Sequence, residues 1–318
     1  MSLPRTIDPA AFDDLHDDPP AWRPALEDIA RQHGGGAVEQ QLTGTALVAF
    51  AGADRVVKLY PPFLRDHFAF EQGMLGRLHG RLHVPTPRLL AAGEHEGWPY
   101  LVLSRLAGLP LTGAWPKLDE PDRLGLLVQL GELSAQVHAL PVDGMSALAP
   151  AWPDFIARQR ERCRLRQQRT GLPAHLLAQV DAFVSGPLPE GPSVLLTGEY
   201  TPMNLLVDPS RPGRLAAMYD FGDGLVGPRA YDWLGPLAFL CAASAARCRA
   251  FLGGCGVELD DDLALALLRL LLLHRYSALP AQVACEGWQA EPDFAALARR
   301  IWPVGDGTEA ATPRPVAT

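Results

Sequence analysis

Residues 55–78 read RVVKLYPPFLRDHFAFEQGMLGRL. Arg55–Tyr60 is apolar and β-branched except at Lys58, and it follows the turn Ala51-Gly52-Ala53-Asp54, so it predicts a strand. From there Phe63, Phe70, Met74, Leu75 and Leu78 recur at helical spacing, which predicts a helix over Phe63–Leu78. Outward on the N-terminal side, Val38–Leu42 and Ala46–Phe50 flank the turn Thr43-Gly44-Thr45 as two more strands. On the other side, Arg88–Ala92 and Tyr100–Arg105 form a further pair around Gly93–Gly97. The order β-β-β-α-β-β predicts an antiparallel sheet with one helix against it, an α+β lobe over residues 25–106. A short helix across Pro24–Gln32, closed by Gly34–Gly36, precedes it. Residues 1–24, rich in Asp and Pro, read as a loosely ordered N-terminal extension.

After Gly108 the pattern changes. Pro121–Leu140, Trp152–Arg169 and His175–Val184 read as helices. Val194–Leu196, Asn204–Asp208 and Leu215–Tyr219 read as short strands, and Ala230–Trp302 as helices throughout. A mostly helical second lobe over residues 107–303 follows, with a tail at 304–318 whose Gly, Thr and Pro content predicts disorder. The sequence contains no internal repeat.

The composition is that of a folded chain large enough for two cores: 318 residues, 48% hydrophobic and 20% charged. A net charge of −8 argues against a nucleic-acid partner and is compatible with a cationic substrate. The five cysteines show no CxxC or Cys/His ligand spacing and read as reduced thiols. The opening MSLPRTIDPAAFDDLHDDPP has neither a basic nor an apolar signal region, and the most apolar run, Leu263–Leu273, is short and broken by Arg269. These features predict a cytoplasmic protein with no membrane partner. Six arginines between Arg158 and Arg169 fall around their helix rather than along one stripe, and read as a solvated face.

Two segments carry chemistry. LLTGEYTPMNLLVD (195–208) holds Glu199 and, five residues on, Asn204; LAAMYDFGD (215–223) ends a strand at Asp220. Phosphoryl transfer needs a carboxylate to orient the acceptor hydroxyl and oxygen ligands for Mg²⁺ on the phosphates. Glu199 can be the first; Asn204 and Asp220 can be the second. Each also has a plainer reading, a turn Asp or a loop-capping Asn, and their joint spacing argues against it. Lys58 stands out because only it and Lys117 are lysines among 28 basic residues.

With these residues in place, the chain resembles the aminoglycoside-phosphotransferase family, whose pattern is HGDxxxxNLLVD followed by IDFGD. A later stretch, Gly227-Pro228-Arg229-Ala230-Tyr231-Asp232-Trp233, matches its GDPxxDL element. RVVKLY, HVPTPRLLAAGE, WPYLVLSRLAG and DFAALARRIWP are similar to hygromycin-B kinases of the 7″ type. The resemblance implies a bilobal protein-kinase-like fold of α+β class, with a small antiparallel-sheet N-lobe and a mostly helical C-lobe. It implies ATP and Mg²⁺ as cofactors and a small-molecule hydroxyl as acceptor. Lys58 matches the ATP-phosphate lysine and Glu71 its partner on the helix. Thr43 and Gly44 match a phosphate-covering turn, although the segment has no GxGxxG and reads equally as a plain hairpin turn. Ser104–Leu106 matches the segment whose backbone meets adenine, with a plain strand end as the alternative. Asn204 and Asp220 match the metal ligands, and Asp232 matches a residue that bonds loop backbone.

The family's HGD is Thr197-Gly198-Glu199 here. Glu carries its carboxylate one methylene further out, about 1.5 Å. Two readings follow. Either the loop accommodates the longer side chain and the protein is an ATP-dependent O-phosphotransferase, or catalysis is weak or lost and the protein binds nucleotide as a pseudokinase.

Overall fold

The computed structural model describes residues 3–42 and 44–305. By contacts the chain divides into two compact units, one of residues up to 107 together with 217–224, the other of 108–216 and 225 onward.

The first unit contains α1 (Pro9–His16), α2 (Pro19–Gln32), β1 (Val38–Leu42), β2 (Leu47–Ala51), β3 (Arg55–Leu59), α3 (Arg65–Leu78), β4 (Leu89–His95) and β5 (Trp98–Ser104). The strands form one antiparallel sheet in the order β1-β2-β3-β5-β4. Lys58 pairs with Val48 on one side and Leu101 on the other, so it sits mid-sheet. Alternation along β3 sends Val57 and Leu59 to the opposite face, where both are buried against Trp22, Leu26 and Ile29 of α2. The Lys58 face receives Glu71 of α3. The hairpin turn between β4 and β5 is narrower than its sequence suggests. β4 runs through Gly93, and the turn is Glu96–Gly97, both left-handed (φ 51° and 91°), as a two-residue hairpin turn requires.

The expectation for residues 1–24 is corrected here. Within them Pro9–His16 fold as α1 and Pro19–Pro24 as the first part of α2, with Phe12 and Trp22 in the core. What reads as disorder is helix punctuation. Asp8 accepts from the Ala11 amide at 2.9 Å, and Pro9 and Pro19 occupy the first turns, where proline's missing donor costs nothing. Trp22, Leu26 and Ile29 then recur at i, i+4 and i+7. Pro24 lies inside α2 rather than starting it. The sheet is thus covered on both faces, not one. Trp22 is fully buried, so Trp22→Ala should cost about 3–5 kcal/mol, read as a lower denaturation midpoint in urea. An unchanged midpoint would show the two helices to be dispensable to the first unit.

The second unit contains β6 (Leu109–Pro110), α4 (Leu111–Ala114), α5 (Glu120–His138), α6 (Trp152–Arg169), α7 (Ala174–Leu177), α8 (Val180–Val184), β7 (Ser193–Leu196), β8 (Leu205–Asp208), β9 (Arg211–Met218), β10 (Leu225–Pro228), α9 (Ala230–Phe239), α10 (Ala245–Gly254), α11 (Asp261–Leu272), α12 (Leu279–Gln282) and α13 (Phe294–Ile301). Helices dominate, α5 packing on α10 and α11 on α13. Two small sheets, β6-β8-β9 and β7-β10, frame the loop 197–204. The fold is the α+β, kinase-like arrangement, a sheet-based unit and a mostly helical one. β6 and β10 are too short to leave a period-2 signal, and the helix expected over His175–Val184 breaks into α7 and α8. In α6, Arg158, Arg160, Arg162, Arg164 and Arg169 are exposed, while Arg166 is half-buried and donates to the carbonyl of Leu272 at 2.9 Å.

All five cysteines are buried and unbridged. Among the described residues no helix is long and apolar enough to cross a membrane. Thr43 and most of the 304–318 tail lie outside the described residues.

Candidate active site

Within the first unit the structure brings together Lys58, Glu71 and Asp220. Lys58 Nζ donates to Glu71 Oε2 and to Asp220 Oδ1, each at 2.7 Å. Lys58 and Glu71 are 5% and 1% exposed, so both charges are out of water and demand mutual compensation. Tyr60, two residues on from Lys58 and just past the end of β3, donates its hydroxyl to the same Glu71 oxygen. Lys58 and Glu71 both face the interior and not solvent.

The electrostatics follow from these partners. Burial is the largest influence on Lys58 and opposes its charge, but Asp220 and Glu71 together outweigh it and hold the ammonium above its usual range. Burial likewise opposes the Asp220 charge, yet Lys58 keeps that carboxyl below the usual aspartate range. For Glu71 burial prevails over Lys58, and its carboxyl is raised. One cation shared by two carboxylates leaves a local excess of negative charge.

Asp220 belongs with the first unit, although its position in sequence places it in the second lobe. The Met218 amide donates to the carbonyl of Pro85 at 3.2 Å, returning the chain to the sheet unit. Asp220 is left-handed (φ 67°), a conformation that aspartate tolerates and that clusters at functional positions. A Cβ at Gly222 would come within 3.2 Å of Glu71 Oε2, so glycine lets the loop close against the buried pair. His67 of α3 lies 3.4 Å from Asp223 and holds the same loop from the other end.

Within the second unit the structure brings together Glu199 and Asn204 through a tightly bonded loop. Asp232, nearly fully buried, accepts from the Thr197 amide at 2.9 Å, the Thr197 hydroxyl at 3.1 Å and the Gly198 amide at 3.1 Å. His138 of α5 meets its other side at 3.1 Å. The Glu199 carbonyl accepts from Asn204 Nδ2 at 3.0 Å and from the Thr201 amide at 2.8 Å. The Tyr200 hydroxyl donates to the Leu130 carbonyl at 2.7 Å. His274 Nε2 stands 3.2 Å from the Gly198 carbonyl. Glu199 itself is half-buried and Asn204 is buried.

Ser104 ends β5, and its hydroxyl accepts from the Arg88 amide at 2.8 Å. Leu106 is half-buried and Gly44 exposed. A Cβ at Gly44 would make only an ordinary contact, 3.8 Å from Val48. Among the described residues there is no cluster of three or more His, Cys, Asp or Glu side chains that would hold a metal alone. Mg²⁺ needs no such cage, since one or two carboxylates and the substrate's phosphates complete its shell; the carboxylate of Asp220 in the first unit and the amide oxygen of Asn204 in the second are each hard oxygens of the type it takes.

Tyr60, His138 and His274 escape the sequence reading. Tyr60 left a signal, since it stands two residues on from Lys58 in sequence. The two histidines left none, because His138 lies 94 residues before its partner and His274 lies 76 residues after its own.

Residues 43–256 match the model of the phosphotransferase enzyme family. Solved structures of similar fold include wild-type aminoglycoside 2′-phosphotransferase-IIIa with GDP, 19% identical with a TM-score of 0.63, covering 85% of this chain and 94% of that one. Macrolide 2′-phosphotransferase MphH from Brachybacterium faecium is 23% identical with a TM-score of 0.56, covering 89% and 99%. The streptomycin–ATP complex of APH(2″)-IIa is 15% identical with a TM-score of 0.56, covering 77% and 88%.

Proposed function

The chain belongs to the phosphotransferase enzyme family and so is a small-molecule kinase, and from that premise we propose that it moves the γ-phosphate of ATP to a hydroxyl of an aminoglycoside-like antibiotic or a related sugar or amino alcohol. The observation that carries this reading is Lys58, fixed at 2.7 Å from both Glu71 and Asp220. A buried lysine locked on a strand by a helix carboxylate is a positioned charge for nucleotide phosphates. Enzymes named for aminoglycoside and macrolide phosphorylation share the fold, which supports a small hydroxylic acceptor. The protein acts in the cytoplasm.

In this mechanism Lys58 orients the phosphates, and Glu71 and Tyr60 orient Lys58. Asp220 and Asn204 would hold Mg²⁺ through their oxygens, and the ion when bound would offset the phosphate charge. Ser104 and Leu106 offer backbone groups to adenine, and Gly44 lies beside the phosphates. Glu199 accepts the acceptor's hydroxyl proton as that oxygen bonds the γ-phosphorus and the bond to the β–γ bridging oxygen breaks, releasing ADP. A second reading, nucleotide binding without transfer, is favoured by one observation, the Glu at position 199.

The test is to incubate the protein with Mg-ATP and a panel of aminoglycosides, macrolides and simpler amino alcohols. ADP release together with a mass gain of one phosphoryl group on an acceptor is expected. ATP-analogue binding with no product on any acceptor would establish the second reading.

A further inference from the structure

Glu199 owes its place to a peptide held from both ends. Asp232 takes the amide hydrogens that lead into it, and Asn204 takes the carbonyl that follows. The remaining group is the carbonyl of Gly198, which shares its peptide with the Glu199 amide. Its partner is His274, two residues past the end of α11.

The imidazole is fixed on every edge that matters. Nε2 faces the Gly198 carbonyl at 3.2 Å, and Nδ1 faces the Tyr276 amide at 3.3 Å. A carbonyl needs a donor and an amide needs an acceptor, so the hydrogen sits on Nε2. The ring stacks on Tyr231, with centroids 4.7 Å apart and planes 22° apart. Tyr231 is buried, and its hydroxyl accepts from the Arg275 amide at 3.3 Å. Ring, tautomer and carbonyl are therefore set by packing before any substrate arrives.

We propose that His274 is a positioning residue, whose Nε2–H holds the Gly198–Glu199 peptide so that the longer side chain of Glu199 delivers its carboxylate where the acceptor hydroxyl is oriented. In its consequence for turnover this rests on the phosphoryl-transfer reading; in its consequence for the loop it rests on geometry alone. The loop's own histidine position is Thr197, whose hydroxyl bonds Asp232. The imidazole comes instead from beyond α11 and grips the next residue.

Two substitutions separate the two ring nitrogens. His274→Gln places an amide nitrogen at the reach of Nε2 and keeps the donor to Gly198. His274→Asn keeps an acceptor near Nδ1 for the Tyr276 amide and loses the donor to Gly198. His274→Asn should lower kcat by roughly 10²-fold with KM for ATP unchanged, the scale of an ångström-level misplacement. His274→Gln should stay within about 5-fold of wild type. In ¹⁵N spectra the Glu199 amide should shift in the Asn variant and stay in place in the Gln variant, and the wild-type ring should show the Nε2–H tautomer. Equal kcat losses in the two variants, an unshifted Glu199 amide in the Asn variant, or the Nδ1–H tautomer would each overturn the assignment. If no acceptor is phosphorylated by the wild-type protein, the proposed function fails, and the amide shift still decides the role of His274.

Discussion

Lys58→Ala should cost the protein both its turnover and about 3–5 kcal/mol of stability, because it strands two buried carboxylates without their shared cation. A strand position by itself tolerates alanine at modest cost, and sequence alone suggests no more than that. The structure changes the expectation, since Lys58 is 5% exposed and ion-paired twice. The pH dependence identifies the cause. In the wild type the Asp220 carboxyl is held below its ordinary value of 3.8, so the stability it contributes is present above that pH and is lost as pH falls through the lower, folded value. Without Lys58, burial dominates at Asp220 and Glu71, and both carboxyls rise. The variant therefore binds protons more readily when folded than when unfolded, and gains more stability on acidification from pH 8 to pH 5 than the wild type, in which Glu71 is raised but Asp220 is lowered. Urea midpoints at the two pH values measure this. A variant that melts like wild type at both would show that Lys58 is not the hub of the first unit's site. Normal turnover with unchanged ATP dependence would remove it from the phosphate site.

The residues of that hub were legible to different degrees, for physical reasons. Lys58 and Glu71 stand thirteen apart on a strand and a helix whose periodicities are both clear, so their meeting follows once helix and sheet pack. Asp220 was legible as a strand-terminal carboxylate but not as a member of the first unit. That membership depends on a crossing of chain 162 residues from Lys58, and neither propensity nor spacing encodes it. The N-terminal helices were obscured because aspartate and proline serve both disorder and helix starts. Only the i, i+4, i+7 placing of Trp22, Leu26 and Ile29 separates the two. In the second unit the segment 195–208 pointed to Glu199 and Asn204, and Asp232 was expected to bond loop backbone, as it does through the Thr197 and Gly198 amides, with the Thr197 hydroxyl as a third donor. His138 and His274 complete the loop's hydrogen bonding from other elements. Such partners become visible only when the chain is folded.

Glu199→Gln should lower turnover by ~10²-fold or more while ATP affinity changes little, since it keeps the shape of the side chain and removes its charge. In a loose transition state the proton leaves the acceptor late, so orientation of the hydroxyl matters more than the basicity of the group that receives it. Orientation is what the loop supplies. The Gly198 amide is bonded to Asp232, the Gly198 carbonyl faces His274, and the Glu199 carbonyl is bonded to Asn204 and the Thr201 amide. With those groups occupied, the backbone cannot advance to make up for a shorter side chain without breaking several hydrogen bonds, each worth about 1 kcal/mol. Glu199→Asp withdraws the carboxylate by about 1.5 Å, and a displacement of that order costs roughly 10²-fold. The family's own residue should therefore be the worse one in this loop. Steady-state kinetics on the best acceptor of the panel decides it, with kcat read separately from KM. If Glu199→Asp instead raises kcat well above wild type, the loop is still shaped for aspartate, the natural glutamate has cost the protein its activity, and nucleotide binding without transfer is the function that remains.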